Sequence, residues 1–201
     1  MKVLVFGGTG RTGGLIVEQL LVAGHEVTVA GRRDPNITGV PFLETDLFDK
    51  DAVQHLASGF DASISALASA KGNLVCAQLA EALRNTTDLR FITIGGAGVD
   101  DLGDDKGFAD KAVGWVMRRI VPEMLQDRQT ELAILKKSAL RWTMLRPGRL
   151  TDKAGGDTIS LTYDRPATSA IARADLAKVA VNTLTDDLLV NKAPFVAEKK
   201  K

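Results

Sequence analysis

The sequence predicts an α/β fold of three layers: a doubly wound, mainly parallel sheet with helices on both faces and a small C-terminal segment on the substrate side. Three observations carry this. Short β-branched runs alternate with helical patterns through the first half, as βαβ units do. The first run, Val3–Phe6, is apolar throughout, which suits a parallel strand buried on both faces. Between it and the first helical pattern lies Gly7-Gly8-Thr9-Gly10-Arg11-Thr12-Gly13, a tight strand-to-helix turn. With 201 residues, 45% of them hydrophobic and 25% charged, a single domain over 1–201 is expected.

The elements follow in order. After Val3–Phe6 a helix runs over Thr12–Ala23, with Leu15, Ile16, Leu20 and Ala23 as its buried stripe and Gly24 as its end. Glu26–Ala30 is a second strand and Phe42–Glu44 a short third. Asp49–Ser58 is a helix with Asp49 as its N-cap. Ala62–Leu67 is the fourth strand, Leu74–Arg84 a helix and Arg90–Ile94 the fifth strand. Right-handed crossovers between such strands leave little besides the doubly wound order.

Past Gly95 the regularity fails. Gly95-Gly96-Ala97-Gly98 leads into a stretch holding Asp100, Asp101, Asp104 and Asp105, and an irregular loop at a strand's carboxyl end is expected to be functional. Phe108–Ile120 reads as a helix, Pro122 interrupts, and Glu123–Ser138 is a second long helix. Trp142–Leu145 is a sixth strand closed by Pro147-Gly148. Thr158–Thr162 is a further strand, Asp175–Leu184 a helix with Asp175 as N-cap, and Pro194–Ala197 a last strand. The tail Lys199–Lys201 reads as a solvated end.

Composition excludes several function classes. A net charge of +1 gives no global field to draw nucleic acid or an anionic membrane. The single cysteine, Cys76, forms no intrachain disulfide, and with only His25 and His55 beside it no metal site is expected. Cys76 lies among apolar residues and reads as a buried inert thiol. His25 reads as structural and His55 as a surface residue. Neither a secretory leader nor a membrane span is legible, so a cytoplasmic location is expected. Trp115 and Met117 read as core, with a substrate lid as the alternative.

The glycine turn carries the function. Gly8, Gly10 and Gly13 satisfy G-x-G-x-x-G, and Gly7, Gly10 and Gly13 the looser G-x-x-G-x-x-G. One glycine permits the turn, one lets backbone N–H groups approach a pyrophosphate, and one lets helix and strand pack closely. The helix N-terminus adds roughly half a positive charge beneath the phosphates. In this strand–helix–strand context the pattern predicts a Rossmann-type dinucleotide site. No Gly-Lys-Ser/Thr follows, which disfavours a nucleotide triphosphatase. At the end of the second strand, where an acidic residue would accept from both ribose hydroxyls, stand Arg32 and Arg33. A guanidinium pairs with a 2′-phosphate in a bidentate way, and Arg11 is placed to join it, so NADP(H) is favoured over NAD(H).

The opening Val-Phe-Gly-Gly-Thr-Gly-Arg-Thr-Gly, Gly31-Arg32-Arg33 and Asp46-Leu47 resemble the atypical short-chain dehydrogenase/reductase group. Within it the chain is similar to NAD(P)H-binding proteins related to biliverdin reductase B/flavin reductase and to NmrA-like proteins. Leu135–Gly148 resembles that group's helix, turn, strand and Arg-Pro-Gly, with Ala139 in place of the usual glycine. Ile171–Ala177 resembles its C-terminal segment. The resemblance implies that Gly7, Gly8, Thr9, Gly10, Arg11, Thr12 and Gly13 hold the pyrophosphate, and Arg32 and Arg33 the 2′-phosphate. It also implies that Asp46 and Leu47 flank adenine, and that Ala66, Leu67 and Ala68 lie beside the nicotinamide ribose. Pro147 and Gly148 border the nicotinamide, with Gly95 beside them. Asp46 has an equal reading as a loop or capping carboxylate.

One part of the group's usual chemistry is missing. Carbonyl-reducing relatives carry Tyr-x-x-x-Lys, in which lysine lowers the tyrosine pKa for proton transfer. The only tyrosine is Tyr163, and Ala167 stands where the lysine is required. Met124 and Arg128 occupy the dyad's positions, and Thr93-Ile94-Gly95-Gly96 the family serine's; Thr93 reads as a strand residue. Asp127 and Arg128 are the weak catalytic candidates, for orienting a substrate, with a surface ion pair as the plainer reading. The expectation is an NADPH-dependent oxidoreductase passing hydride to a flavin-like or quinone-like acceptor, since flavin N5 accepts hydride while solvent supplies protons. The alternative is a non-catalytic NmrA-like redox sensor with a partner surface on Phe108–Ile120. Neither nucleic acid nor membrane is expected as a partner, and the chain is expected to be a monomer or homodimer.

Overall fold

The computed structural model describes residues 1–156 and 158–199, apart from the side chains of residues 109–111, 113 and 117. Met117's side chain and the last two lysines, on which expectations were placed above, lie outside the described residues. The strand β1 (Lys2–Phe6) leads through the glycine turn into α1 (Arg11–Val22), followed by β2 (Glu26–Gly31), β3 (Phe42–Glu44), α2 (Lys50–Ala57) and β4 (Ala62–Ser65). Next come α3 (Cys76–Leu83), β5 (Arg90–Ile94), α4 (Phe108–Ile120), α5 (Pro122–Leu135) and β6 (Arg141–Pro147). The chain closes with β7 (Arg149–Thr151), β8 (Ile159–Thr162), β9 (Ala170–Ala172), α6 (Arg173–Asn182), two 3₁₀ turns and β10 (Phe195–Glu198).

The main sheet runs β3-β2-β1-β4-β5-β6-β10-β8. It is parallel out to β10, and β8 joins that strand antiparallel. This is the expected doubly wound Rossmann-like α/β sheet. The continuous apolar character of β1 is explained by its register: Val3 and Val5 sit opposite Val27 and Val29 on one side and Ala62 and Ile64 on the other. Val3 and Val5 pack with Ile16, Leu20, Leu176 and Ala180 beneath α1 and α6, while Leu4 and Phe6 pack with Leu79, Phe91 and Leu132 beneath α3 and α5. Both faces of the strand are therefore core.

The differences from expectation have local causes. Only Ala62–Ser65 of the fourth strand is extended, and Ala66 and Leu67 beyond it lie where a side chain at Gly7 would otherwise stand. The sixth strand is longer, because β10 and the segment before it donate partners: Met144 N donates to Lys192 O at 3.0 Å and Arg146 N to Pro194 O at 2.8 Å. Asp49 caps α2 as expected, accepting from Ala52 N at 3.0 Å. Asp175 does not cap α6. The helix begins at Arg173, and Asp175, 2% exposed, turns inward to accept from Gly156 N at 2.8 Å. Pro122 starts α5 instead of merely breaking the pattern, as proline at a first helical position does. The small parallel pair β7–β9 went unforeseen; it joins Leu150 to Ile171.

Candidate functional site

Strand order reverses between β1 and β4, and there the glycine turn meets the end of β4. Gly7 has φ +81°, and a Cβ on it would lie 2.8 Å from Ala66 C and 2.9 Å from Leu67 N. A Cβ on Gly13 would sit 2.0 Å from Gly7 O, so α1 approaches the turn only because that position is bare. The turn closes with Gly10 N donating to Gly7 O at 3.0 Å. Gly10 is the N-cap of α1 and brings no capping side chain, and the first turn holds no acidic residue. The helix therefore opens toward the crevice with its positive end unneutralised by its own side chains. Thr9, Gly10 and Arg11 are exposed along this rim.

Three further segments reach the same strand-end crevice. Ala66, Leu67 and Ala68 follow β4. Gly95 follows β5, its N–H donating to Leu145 O at 2.8 Å, and a Cβ there would lie 2.9 Å from Met144 Cγ. Ala97 N then donates to Pro147 O at 2.8 Å, tying this loop to the end of β6. A Cβ on Gly148 would meet Ser169 O at 2.4 Å, so the Pro147-Gly148 turn is wedged against the β7–β9 pair.

At the neighbouring corner, Arg32 and Arg33 follow β2, are exposed, and form no ion pair among the described residues. Asp34 is engaged in a local turn, accepting from Asn36 N at 2.7 Å. Asp46 is engaged in a local turn, its Oδ1 accepting from Phe48 N at 3.0 Å. Leu47 is 8% exposed and belongs to the same core cluster as Val53 and Ala57 of α2.

Asp127 and Arg128 are not a surface ion pair. Asp127 is 4% exposed and accepts from Cys76 N at 3.0 Å and Ala77 N at 3.2 Å, with the Ser69 hydroxyl donating to it as well. It is the missing N-cap of α3, supplied from another helix, since Val75 offers none. Arg128 donates to Leu67 O at 2.5 Å and to Glu131 Oε2 at 2.7 Å, with Thr93 Oγ1 at 3.3 Å. Thr93 in turn donates to Glu131 Oε1 at 2.7 Å. Burial alone would lower the guanidinium pKa, but Glu131 and the other anionic neighbours outweigh it and raise it. Arg128 thus holds the floor of the crevice through the Leu67 carbonyl. Sequence reasoning missed Glu131 and Ser69; only the helical spacing of Arg128 and Glu131 hinted at a pair. Burial pushes the Cys76 thiol up to about 12, as an inert cysteine requires.

The acidic loop after β5 is a clip. Asp104 forms a two-pronged pair with Arg146, at 2.7 Å and 2.9 Å, and Arg146 lies 3.8 Å over the Phe195 ring. Lys106 Nζ donates to Val99 O at 2.8 Å and to Asp100 Oδ1 at 2.7 Å; Asp101 pairs with Lys136. Burial would raise the Asp104 carboxyl, but the Arg146 hydrogen bonds and charge win and hold it below the ordinary carboxylate range. Trp115 is not core: it is 57% exposed, with Arg119 4.5 Å over its ring. No helix among the described residues is long and apolar enough to cross a membrane.

Comparison with known proteins agrees with this geometry. The NAD(P)H-binding family matches residues 7–187. The structure is similar to the anaerobilin reductase ChuY from Escherichia coli, at 18% identity and TM-score 0.81, covering 100% of this chain and 98% of that one. It is also similar to a candidate NADH-flavin reductase from Streptococcus pneumoniae, at 26% identity and TM-score 0.79, covering 99% and 100%. A short-chain dehydrogenase/reductase from Veillonella parvula in complex with NADP matches at 16% identity and TM-score 0.78, covering 98% and 94%. The glycine turn, the sheet it closes and the family match over nearly the whole chain make this protein a member of the NAD(P)H-binding family, on a Rossmann-like α/β fold.

Proposed function

We propose that the protein is an NADPH-dependent reductase that passes hydride to a flavin or a similar conjugated acceptor. The observation that carries this is the uncapped N-terminus of α1, set on a side-chain-free turn at the reversal of strand order. The residues fit a dinucleotide: there is backbone to approach a pyrophosphate and a positive helix end beneath it. In this reading the Gly7–Gly13 turn binds the pyrophosphate, with Thr9, Arg11 and Thr12 at its edge, and Arg32 and Arg33 bind the 2′-phosphate. Asp46 and Leu47 border the adenine, and Ala66, Leu67 and Ala68 the nicotinamide ribose. Gly95, Pro147 and Gly148 frame the nicotinamide. NADPH supplies the hydride when bound; the chain's part is to hold and orient.

The acid–base groups near the crevice support the choice of acceptor. Asp127, Glu131, Thr93 and Arg128 are all engaged with one another or with backbone, and Tyr163 is 51% exposed after β8. No Tyr-Lys dyad stands by to protonate an alkoxide. Flavin N5 accepts hydride with solvent supplying the proton, so positioning suffices. The reductase names of two fold neighbours, one for a bilin and one for a flavin, point the same way.

The test mixes the protein with NADPH and a panel of FMN, riboflavin, quinones and a bilin, following the nicotinamide absorbance band. Oxidation by a flavin or another conjugated acceptor is expected. Tight NADPH binding with no oxidation by any acceptor refutes the reductase and favours a redox sensor. Absence of binding refutes the dinucleotide reading itself.

A further inference from the structure

Asp152, just past β7, stands between the first turns of α1 and α6. Its Oδ2 accepts from Arg11 Nη1 at 3.2 Å and its Oδ1 from Arg173 Nη1 at 2.5 Å. Arg11 and Arg173 are the first residues of those two helices. The two pairs are unequal. Arg11 and Asp152 are 72% and 65% exposed, whereas Arg173 is only 13% exposed. An exposed pair contributes little and is screened by salt, so Arg11 leaves at small cost. Arg173 keeps the carboxylate where it is, and the segment beyond is pinned a second time by Asp175 accepting from Gly156 N at 2.8 Å. In an exchange, the moving part is the Arg11 side chain.

A carboxylate beside an anion-binding turn runs against what a phosphate requires. Here it faces the one cation that the turn itself carries. Arg11 therefore has two anionic claimants, Asp152 and whichever cofactor phosphate lies nearest. Building on the dinucleotide reading above, we propose that Asp152 is an internal competitor for cofactor phosphate. It holds Arg11 while the turn is empty, gives it up when the dinucleotide arrives, and so sets the affinity. Asp152 is a positioning residue that acts through Arg11.

The experiment titrates NADPH and NADH onto the full chain, onto Asp152→Asn, onto Arg11→Ala and onto the double variant, each at low and high salt. Asp152→Asn is expected to bind NADPH about two- to fivefold more tightly at low salt, with the gain fading as salt rises. In the Arg11→Ala background the gain is expected to vanish, which a merely structural Asp152 would not produce. An equal gain for NADH assigns Arg11 to the pyrophosphate, and a gain for NADPH alone assigns it to the 2′-phosphate; both uphold the proposal. Unchanged or weaker NADPH binding by Asp152→Asn overturns it, as does the same gain without Arg11. A parent chain that binds neither dinucleotide overturns the underlying reading and this proposal together. Should Asp152→Asn lose its cooperative melt, Asp152→Ser replaces it with the same expected signs.

Discussion

Replacing Asp104 by alanine tests the clip on which one wall of the crevice depends. Asp104 is 7% exposed and Arg146 1% exposed, so the variant leaves a guanidinium buried without its carboxylate. Removing one partner of a buried pair costs about 3–5 kcal/mol. Arg146 keeps bonds to Ala193 O at 2.7 Å and Val99 O at 3.1 Å and its place over Phe195, which puts the loss near the lower end. About 3 kcal/mol lowers Tm by roughly 6–12 °C in a chain of this size. The pH dependence fixes the sign. The folded carboxyl titrates below its unfolded value, so its contribution is fully present above about pH 4 and is lost as pH falls through the lower folded value. Urea unfolding of parent and variant at neutral pH and at acid pH, followed by tryptophan fluorescence, reads both quantities. A gap under about 1 kcal/mol at neutral pH would refute the reasoning, since that is the range of an exposed pair. A gap that stays constant into acid would refute it equally.

Three further outcomes follow from the site. Arg32→Ala is expected to weaken NADPH by about ten- to a hundredfold, the range for bonds to a charged group, while leaving NADH binding and Tm unchanged. Equilibrium titration with both cofactors checks it, and equal losses for the two would remove Arg32 from the 2′-phosphate. Asp127→Ala is expected to cost about 1–3 kcal/mol through the uncapped α3, seen in thermal melts, without changing turnover per folded molecule. A large loss of turnover at unchanged Tm would restore a catalytic role. Cys76 should resist thiol reagents in the native protein at pH 8 and react on unfolding, because its thiol is buried and pushed up to about 12. Fast native labelling would contradict that.

The parts of the molecule legible in the sequence are those where local pattern and tertiary demand coincide. The uninterrupted apolar run Val3–Phe6 marked a strand with core on both faces, and the spacing of Gly7, Gly10 and Gly13 marked a helix that must touch its own turn. Asp49 was legible because a capping carboxylate acts on the next few residues. Asp127 was not, since the helix it caps lies far off in the chain and its own helical neighbours say nothing of Cys76 or Ala77. Asp175 shows the opposite error: it stands in the first turn of α6, where a capping role is the default, but a distant glycine N–H claims it. The acidic loop reads as functional from its position at a strand's carboxyl end alone. Asp100, Asp101 and Asp104 turn out to be paired with Lys106 and Arg118, with Lys136, and with Arg146, partners that sequence distance conceals. Arg128 filled a position that the resemblance reserved for chemistry, and the structure spends it on the Leu67 carbonyl.

The place of β10 has a consequence for how the chain assembles. This strand follows every other described element, but it lies between β6 and β8, with Phe195 and Val196 fully buried. Phe195 is also the ring on which Arg146 and Lys106 rest. While a ribosome is still making the chain, β1 to β6 and the glycine turn can form in sequence, each strand beside one already made. The acidic loop cannot settle then, because the surface under its arginine has yet to be synthesised. The crevice therefore gains its last wall late, after the glycine turn is already in place.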